Sequence, residues 1–273
     1  MTTPSEHIAQ TPVDRPGWLR IADDIRIAIE RGELGPGDPI PSLGELVDTY
    51  GVSQGTARQA HNSLRTQALV TGGQGKRLLV RTPPPKITFS NAALIKEKQS
   101  IHLPEEIRRR SGHLEDTTGI SIRDATFTAT YTRIVADDTV PEYDPGTPLL
   151  QREYETVETA TGRRLAWSTS FLPISIIEAN PKLLDQDEEP WPGGTQHQLS
   201  TVGVEVAHNE DTITARAPTT IEIKRWEMDP GIPILRAAGC MSDPTGRVVC
   251  ATRVAWPADR AELRFVLDLP KAQ

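Results

Sequence analysis

The chain has 273 residues, of which 37% are hydrophobic and 25% charged, and its formal net charge is −7. This composition is typical of a globular protein of one or two domains. No stretch approaches the ~20 apolar residues of a membrane span. The first residues have neither the apolar core nor the cleavage pattern of a signal peptide. We therefore predict a cytoplasmic protein with no membrane partner and a flexible arm over residues 1–16.

An amphipathic helix is predicted from Trp18 to Arg31, because apolar residues recur at helical spacing along one face. Gly32 is placed to end this helix. A second helix is predicted to begin at about Leu43, because Ser42 and Glu45 have the spacing of a capping box.

A third helix follows after a very short joint. Gly51 can adopt the left-handed backbone that ends the second helix, and Ser53 is a new N-cap two residues later. Two helices joined in this way must cross steeply. The arrangement is that of a helix-turn-helix, whose second helix enters the major groove of DNA.

The third helix has an unusual outward face. Its buried stripe is predicted to comprise Ala57, Ala60 and Leu64, which turns the following residues outward: Gln54, Gly55, Thr56, Arg58, Gln59 and Asn62. Small, amide and basic side chains match base edges and phosphates. Gly55 is unfavourable in a helix by roughly 1 kcal/mol relative to Ala. We interpret it as a position of close approach to DNA.

A hairpin wing is predicted next, with strands at residues 69–71 and 78–80 and a glycine-rich tip between them. From Thr49 to Lys86 there is no acidic residue, whereas six residues are basic: Arg58, Arg65, Lys76, Arg77, Arg81 and Lys86. Local basicity in an acidic chain indicates a phosphate-facing surface. The predicted DNA contacts are Ser42, Ser53, Gln54, Gly55, Thr56, Arg58, Gln59, Gly75, Lys76 and Arg77. The alternative is a helix-turn-helix that binds no nucleic acid.

Residues 18–80 resemble the GntR family of regulators. The resemblance depends on the first helix, the segment from Gly32 to Asp38, Pro41-Ser42, Gly51-Val52-Ser53, Thr56, Arg58 and the Gln74-Gly75 wing. Members typically have Glu-Arg after the Pro-Ser pair and begin the recognition helix with Arg-Thr-Thr. This chain has Leu43-Gly44 and Gln54-Gly55-Thr56 instead, so the common operator of the family is not predicted for it.

A domain boundary is predicted at residues 82–86, where three consecutive prolines form a stiff linker. It separates a DNA-binding domain at 17–81 from a second domain at 87–273. Residues 1–86 contain ten basic and nine acidic side chains, and residues 87–273 contain 20 and 28. An acidic second domain is not predicted to be another DNA-binding surface.

The second domain contains an internal repeat. The segment from Asp144 to Leu150 recurs as Asp229 to Leu235, and Thr161-Gly162-Arg163 recurs as Thr245-Gly246-Arg247. Each copy has the turn and strand pattern of a β-hairpin. Two similar hairpins predict a sheet built from related halves, with room for a small molecule between them.

Residues 112–268 resemble the effector-binding UTRA domain of the HutC branch of GntR regulators, a fold related to chorismate lyase. The resemblance depends on the two hairpins, the Gly194-Thr195 helix start, the Ala215-Arg216 segment and the segment from Trp256 to Arg260. It implies a mixed α/β domain, and hence an α+β chain, and a homodimer in which an effector resets the spacing of two DNA-binding domains.

The resemblance also suggests where an effector binds. The candidate residues are Arg152, Tyr154, Ser168, Ser170, Thr195, His197, Arg216 and Thr252. Members that sense sugar phosphates carry paired arginines on the first hairpin strand, where this chain has Tyr154 and Thr156. Those members also carry a glutamate on the last hairpin, at a position near Cys250 of this chain. We therefore expect a polar or mildly anionic ligand rather than a phosphosugar. Gly193-Gly194-Thr195 is either an anion site at a helix start or a turn followed by an N-cap.

No metal or cofactor is predicted, because the six histidines are scattered without ligand spacing. Cys240 and Cys250 are expected to lie across a hairpin, either as structural thiols or as a redox switch. We predict a ligand-responsive repressor that binds an inverted-repeat operator as a homodimer. The alternatives are an effector-independent dimeric repressor and an enzyme with a lyase-like second domain. The sequence shows no combination of a nucleophile and a general base that would support catalysis.

Overall fold

The computed structural model describes residues 16–72, 77–110 and 124–267. The chain divides into two compact units. The first comprises residues up to 83 together with 227–232, and the second comprises the remainder. Residues 1–15 of the predicted arm lie outside the described part. None of the described helices has the length and apolar character needed to cross a bilayer.

The first unit is a helix-turn-helix with a small hairpin. Its elements are α1 Gly17–Glu30, α2 Leu43–Tyr50, α3 Gln54–Thr66, β1 Val70–Thr71 and β2 Leu79–Val80. The core between the helices contains Ile21, Ile25, Ile40, Leu46 and Leu64, each at most 4% exposed. Burial of this apolar surface is the main stabilising contribution to a unit of this size.

The predicted helix boundaries are confirmed by their capping contacts. The Ser42 hydroxyl accepts a hydrogen bond from the Glu45 amide at 3.3 Å, and the Glu45 carboxylate accepts one from the Ser42 amide at 2.6 Å. Gly51 ends α2 in the left-handed region with φ 63°. Ser53 then caps α3 by accepting from the Thr56 amide at 3.2 Å.

The predicted wing is present as a short antiparallel pair. Val70 is paired with Val80 and Thr71 with Leu79, and Pro39 forms an additional bridge to Leu79. Residues 73–76 at its tip, which include Gly75 and Lys76, lie outside the described residues.

The second unit is built around a six-stranded antiparallel sheet of order β4-β5-β6-β9-β8-β7. Its strands are β4 Ala125–Val135, β5 Pro148–Glu158, β6 Arg164–Pro173, β7 His208–Arg216, β8 Ile234–Ser242 and β9 Val248–Pro257. A separate parallel pair joins β3 Ile87–Ser90 to β10 Ala261–Arg264. The helices are α4 Asn91–Ser100, α5 Glu105–Arg110, α6 Ile174–Ile177, α7 Gly194–Ser200 and α8 Thr220–Trp226.

The internal repeat is confirmed as two hairpins, β5–β6 and β8–β9, that meet at the centre of the sheet. Ser168 is paired with Val254, Thr169 with Arg253 and Ser170 with Thr252. The Thr161 and Thr245 motifs are 84 positions apart, and this offset equates Ser168 with Thr252 and Ser170 with Val254, so the pairing maps onto itself. A local two-fold axis therefore passes through the Thr169–Arg253 pair.

One face of the sheet packs against short helices through Leu150, Leu172, Ile177 and Leu199, each at most 3% exposed. The two cysteines lie on adjacent strands, as expected, but one register position apart. Cys240 is paired with Ala251, whereas Cys250 is paired with Met241. Because successive side chains of a strand point to opposite faces, the two thiols are separated by the sheet and are free.

Candidate nucleic-acid interface and effector site

The outward face of α3 matches the predicted recognition surface. Ala57, Ala60 and Leu64 are completely buried. Gln54, Gly55, Arg58, Gln59 and Asn62 are exposed, and Thr56 is half-buried.

The Arg58 side chain makes no hydrogen bond or ion pair with any other described residue, and the same holds for the side chains of Gln54 and Gln59. Among the described residues, a Cβ atom on Gly55 would meet only the Ser53 hydroxyl, at 3.6 Å. Packing within the chain therefore does not require glycine there. Thr56, in contrast, is held by the Ser53 hydroxyl at 3.0 Å. The polar end of the helix thus combines fixed capping groups with uncommitted longer side chains.

Ser42 and Arg77 are engaged at the start of α2. The Arg77 guanidinium donates to the Glu45 carboxylate at 3.1 Å and to the Ile40 carbonyl at 3.3 Å. Hydrogen bonds from Ser42, and then the charge of Arg77, lower the pKa of the Glu45 carboxyl. The Arg77 side chain remains 52% exposed, so it can still face an anion.

The basic stretch from Thr49 to Lys86 has acidic neighbours in the folded structure. Glu45 pairs with Arg77, and Asp229, in the 227–232 segment of the same unit, pairs with Arg81 at 2.5 Å. The side chain of Arg81 is only 9% exposed. The count of six basic residues along the sequence therefore overestimates the positive charge that is free to meet phosphates.

On the second unit, one register row crosses the whole sheet. It places the following residues side by side on one face: Tyr131, Arg152, Ser170, Thr252, Gly239 and Asp211. Tyr154 and Ser168 lie together in the neighbouring row. Five of the eight predicted effector residues are thus brought to one face: Arg152, Tyr154, Ser168, Ser170 and Thr252.

Arg152 is the centre of a buried polar cluster and is completely inaccessible to solvent. Its Nε donates to the Ser170 hydroxyl at 3.1 Å, and its Nη1 donates to the Gln198 side-chain oxygen at 2.7 Å. The rings of Tyr131 and Tyr154 lie 5.8 and 5.6 Å from the guanidinium carbon. Both rings therefore present their electron-rich faces to a cation withdrawn from water.

Glu189 completes this cluster. Its Oε1 accepts hydrogen bonds from Tyr131 Oη at 2.7 Å, Tyr154 Oη at 2.9 Å and Gln198 Nε2 at 2.9 Å. Its Oε2 accepts from the Trp191 amide at 2.6 Å. Burial, opposed by the charge of Arg152, raises the pKa of Tyr131 to about 12 and that of Tyr154 well above its ordinary value. Both phenols are therefore protonated hydrogen-bond donors at neutral pH.

The other three predicted effector residues lie elsewhere. Arg216 forms a two-pronged ion pair with Glu222, with both bonds at 2.7 Å, and this pair lowers the pKa of Glu222 to about 2. The His197 ring accepts a hydrogen bond from Trp191 Nε1 at 2.8 Å. Thr195 lies inside the first turn of α7, and Gly193 is the N-cap. The expectation that Thr195 caps this helix is therefore wrong.

The start of α7 is already occupied by a carboxylate of the chain. Glu97, on α4, accepts a hydrogen bond from the Gln196 amide at 2.7 Å. A Cβ atom on Gly194 would lie 2.7 Å from a Glu97 oxygen, so only glycine leaves room for this contact. Burial raises the pKa of Glu97 to about 7. The position at which an anion was predicted, at Gly193-Gly194-Thr195, is thus occupied by the Glu97 carboxyl group of the same chain.

A cavity of about 310 Å³ lies beside these helices and is lined by Lys98, Ile101, His102, Gln196, Ser200 and Val206 among others. None of the eight predicted effector residues lines it. Within the described ranges, no three His, Cys, Asp or Glu side chains are grouped as metal ligands would be.

The sequence did not single out Tyr131, Gln198 or Glu189. Tyr131 was detectable, because Ala125, Phe127, Ala129 and Tyr131 alternate with threonines in the sequence. Gln198 was detectable as the residue next to the predicted His197. Glu189 had no sequence signal, since it lies in an irregular segment within an acidic run.

The fold and the exposed face of α3 define a winged helix-turn-helix protein. Residues 19–80 match the family model for bacterial regulatory proteins, gntR family. They form a helix-turn-helix domain of the GntR family.

Similarity to known proteins extends over most of the chain. An uncharacterised HTH-type transcriptional regulator of Rhizobium meliloti, RB1450, is 25% identical over 91% of this chain and 93% of its own length. The mannosyl-D-glycerate transport/metabolism system repressor MngR of Escherichia coli is 42% identical over 24% of this chain and 28% of its own.

A crystal structure provisionally described as a GntR-family transcriptional regulator matches with a TM-score of 0.70 and 23% identity. The match covers 94% of this chain and 99% of that chain, and it shows that the two proteins have a similar fold.

Proposed function

We propose that this chain is a sequence-specific DNA-binding transcription regulator of the HutC subfamily, acting as a repressor in the cytoplasm. It binds an inverted-repeat operator as a homodimer, and its second unit is a UTRA domain that responds to a small molecule. The observation that carries this proposal is the outward face of α3. Arg58, Gln54 and Gln59 are exposed on a helix held by an intact capping network, and they lack partners among the described residues.

DNA binding follows from what this face offers. Arginine and glutamine side chains form paired hydrogen bonds with guanine and adenine edges in the major groove. The Ser42 and Ser53 hydroxyls and the half-exposed Arg77 are of the kind that position a helix on the phosphates. Two copies related by a two-fold axis would read two halves of a symmetric site.

Binding selection on the full-length protein tests this proposal. A randomised duplex pool is enriched over several rounds, and the affinity for the selected sequence is measured at low salt with random competitor DNA present. We expect an inverted repeat to emerge, bound by two chains as counted by analytical ultracentrifugation. Equal affinity for the selected and the random duplex would contradict the proposal.

A second candidate is a dimeric repressor without an effector. The observation that favours it is Glu189, because a carboxylate of the chain already fills the polar cluster around Arg152. A thermal-shift screen of the intact protein against a broad metabolite library separates the two candidates. A ligand that raises the melting temperature and weakens operator binding supports the effector-responsive form.

A further inference from the structure

One nitrogen of the buried Arg152 guanidinium is unused. Its Nη2 has no hydrogen-bond partner among the described residues, although Nε and Nη1 are bonded to Ser170 and Gln198. A buried polar group without a partner is destabilising, and more so when it belongs to a charged side chain. An acceptor supplied by a ligand would remove this penalty.

Near this guanidinium, whose Nη1 lies 4.0 Å from Glu189 Oε1, three donors meet at that single oxygen atom. Tyr131, Tyr154 and Gln198 belong to β4, β5 and α7, so each donor is fixed by regular structure. Glu189, which supplies the oxygen, lies between a 3-10 turn at Gln186–Glu188 and α7, in a segment without regular structure. The donors are therefore held by the fold, and the acceptor is held by a connecting segment.

We propose that Tyr131, Tyr154, Gln198 and Arg152 form a carboxylate cradle, a binding site for the carboxylate of a small organic acid that Glu189 occupies from within. The identification of this acid with the effector rests on the proposed function. Glu189 is an incomplete occupant, because its Oε1 lies 4.0 Å from Arg152 Nη1 and leaves Nη2 unbonded.

Competition with Glu189 sets the affinity of the site. A ligand binds only the fraction of molecules in which Glu189 has left the cradle, so the apparent dissociation constant is the intrinsic one divided by that fraction. Removing the Glu189 side chain should therefore convert a closed site into an open one.

The test uses the full-length Glu189→Ala variant and acetate as the probe. We expect the melting temperature of the variant to rise by about 3 °C or more in 100 mM sodium acetate relative to 100 mM sodium chloride. The wild-type protein and Glu189→Gln, in which a side chain still fills the cradle, should show a smaller difference.

The control is the triple variant Glu189→Ala, Tyr131→Phe, Tyr154→Phe, which keeps both rings and removes two donors. Loss of the acetate effect in this variant supports the proposal. An equal effect in the triple variant, or none in Glu189→Ala, overturns it. If Glu189→Ala does not fold on expression, its refolding yield from urea in acetate and in chloride gives the same comparison, and equal yields overturn the proposal.

Operator binding is measured on the same preparations. Stabilisation by acetate without any sequence-specific DNA binding contradicts the proposed function and leaves the cradle intact. Specific DNA binding without stabilisation by acetate contradicts the cradle and leaves the proposed function intact.

Discussion

The outward face of α3 and the cluster around Arg152 are both rich in polar side chains, but the two use them differently. On α3, Arg58, Gln54 and Gln59 are exposed, and their side chains make no hydrogen bond or ion pair with another described residue. In the cluster, each polar side chain bonds to another, and the exposed fraction of Arg152 is zero. The first arrangement offers its donors directly to an external partner, whereas the donors of the second are already bonded to Glu189. Residue type alone does not distinguish them.

The largest effect is expected for the buried cluster. Arg152→Met removes the cation that faces two phenol rings and the Glu189 carboxylate, and breaking a buried charge pair typically costs about 3–5 kcal/mol. Urea unfolding should show a loss of this order in the free energy of unfolding. Arg247→Met, at a guanidinium that is 58% exposed, is the control and should change it by less than about 1 kcal/mol. Equal losses would show that the buried cluster is not stabilising.

The second prediction concerns Glu97, the other internal carboxylate. Because its folded-state pKa is raised to about 7 from 4.5, the folded protein binds this proton more tightly than the unfolded chain. The associated stability is fully present below about pH 4.5 and is lost as the pH rises through 7. Glu97→Gln should remove this dependence and increase the stability at pH 8 by about 2–3 kcal/mol.

The measurement is urea unfolding of both proteins at pH 5, 6, 7 and 8. The difference between the two curves isolates the contribution of Glu97, since the other titrating groups are shared. A constant difference across this range would contradict the raised pKa.

The third prediction concerns the exposed face. Arg58→Ala should weaken operator binding by about 1–3 kcal/mol, roughly five- to 150-fold, and leave the thermal unfolding curve unchanged. Arg31→Ala, at an exposed arginine after α1, is the matched control and should retain affinity. Fluorescence anisotropy with the selected operator gives both values. Unchanged affinity in Arg58→Ala would remove this residue from the interface.

A smaller and two-sided effect is expected at Gly55. Gly55→Ala should raise stability by up to about 1 kcal/mol, because the added methyl group favours the helix and meets only the Ser53 hydroxyl. The same change should weaken operator binding if the backbone approaches DNA there. Thermal unfolding and anisotropy on one preparation measure the two effects. A lower melting temperature of Gly55→Ala would show that the fold requires glycine at this position.

The smallest effect is expected for Lys76, at the wing tip outside the described residues. Lys76→Ala should weaken binding to all duplexes alike and reduce the slope of log affinity against log salt by about one. Titrations at four salt concentrations, with operator and random duplex, measure this slope. A loss confined to the operator would instead assign Lys76 to base recognition.

The helix-turn-helix was predictable because its signals are local. Ser42 and Glu45 lie three residues apart, and Gly51 and Ser53 are adjacent to the turn that they form. The hairpin repeat was predictable for the same reason. Each hairpin is specified by its own Gly-Arg turn and starting proline, and similar turns predict similar hairpins.

The cluster around Arg152 was only partly predictable, because its contacts join segments that are distant in sequence. Ser170 and Arg152 are neighbours on one hairpin, so alternation placed them on one face. Glu189 and Gln198 reach Arg152 through the packing of α7 on the sheet, which no local pattern specifies. Arg216 lies apart from this cluster and pairs with Glu222 on α8, which no local pattern specified. The count of basic residues from 49 to 86 overestimated the free positive charge for the same reason. Glu45 and Asp229 pair with arginines that are distant in sequence.

The local two-fold axis of the sheet also limits how the chain can diverge. The Asp144 and Asp229 motifs are 85 positions apart, and this offset equates Arg152 with Ala237 and Tyr154 with Gly239, so the second hairpin carries small residues where the first carries the cluster. A side chain at position 239 would collide with the Thr252 hydroxyl at 2.4 Å and with Asp211 at 2.6 Å. The two hairpins are thus similar in backbone but not in side chains, and a tyrosine introduced at position 239 alone would require Thr252 and Asp211 to move.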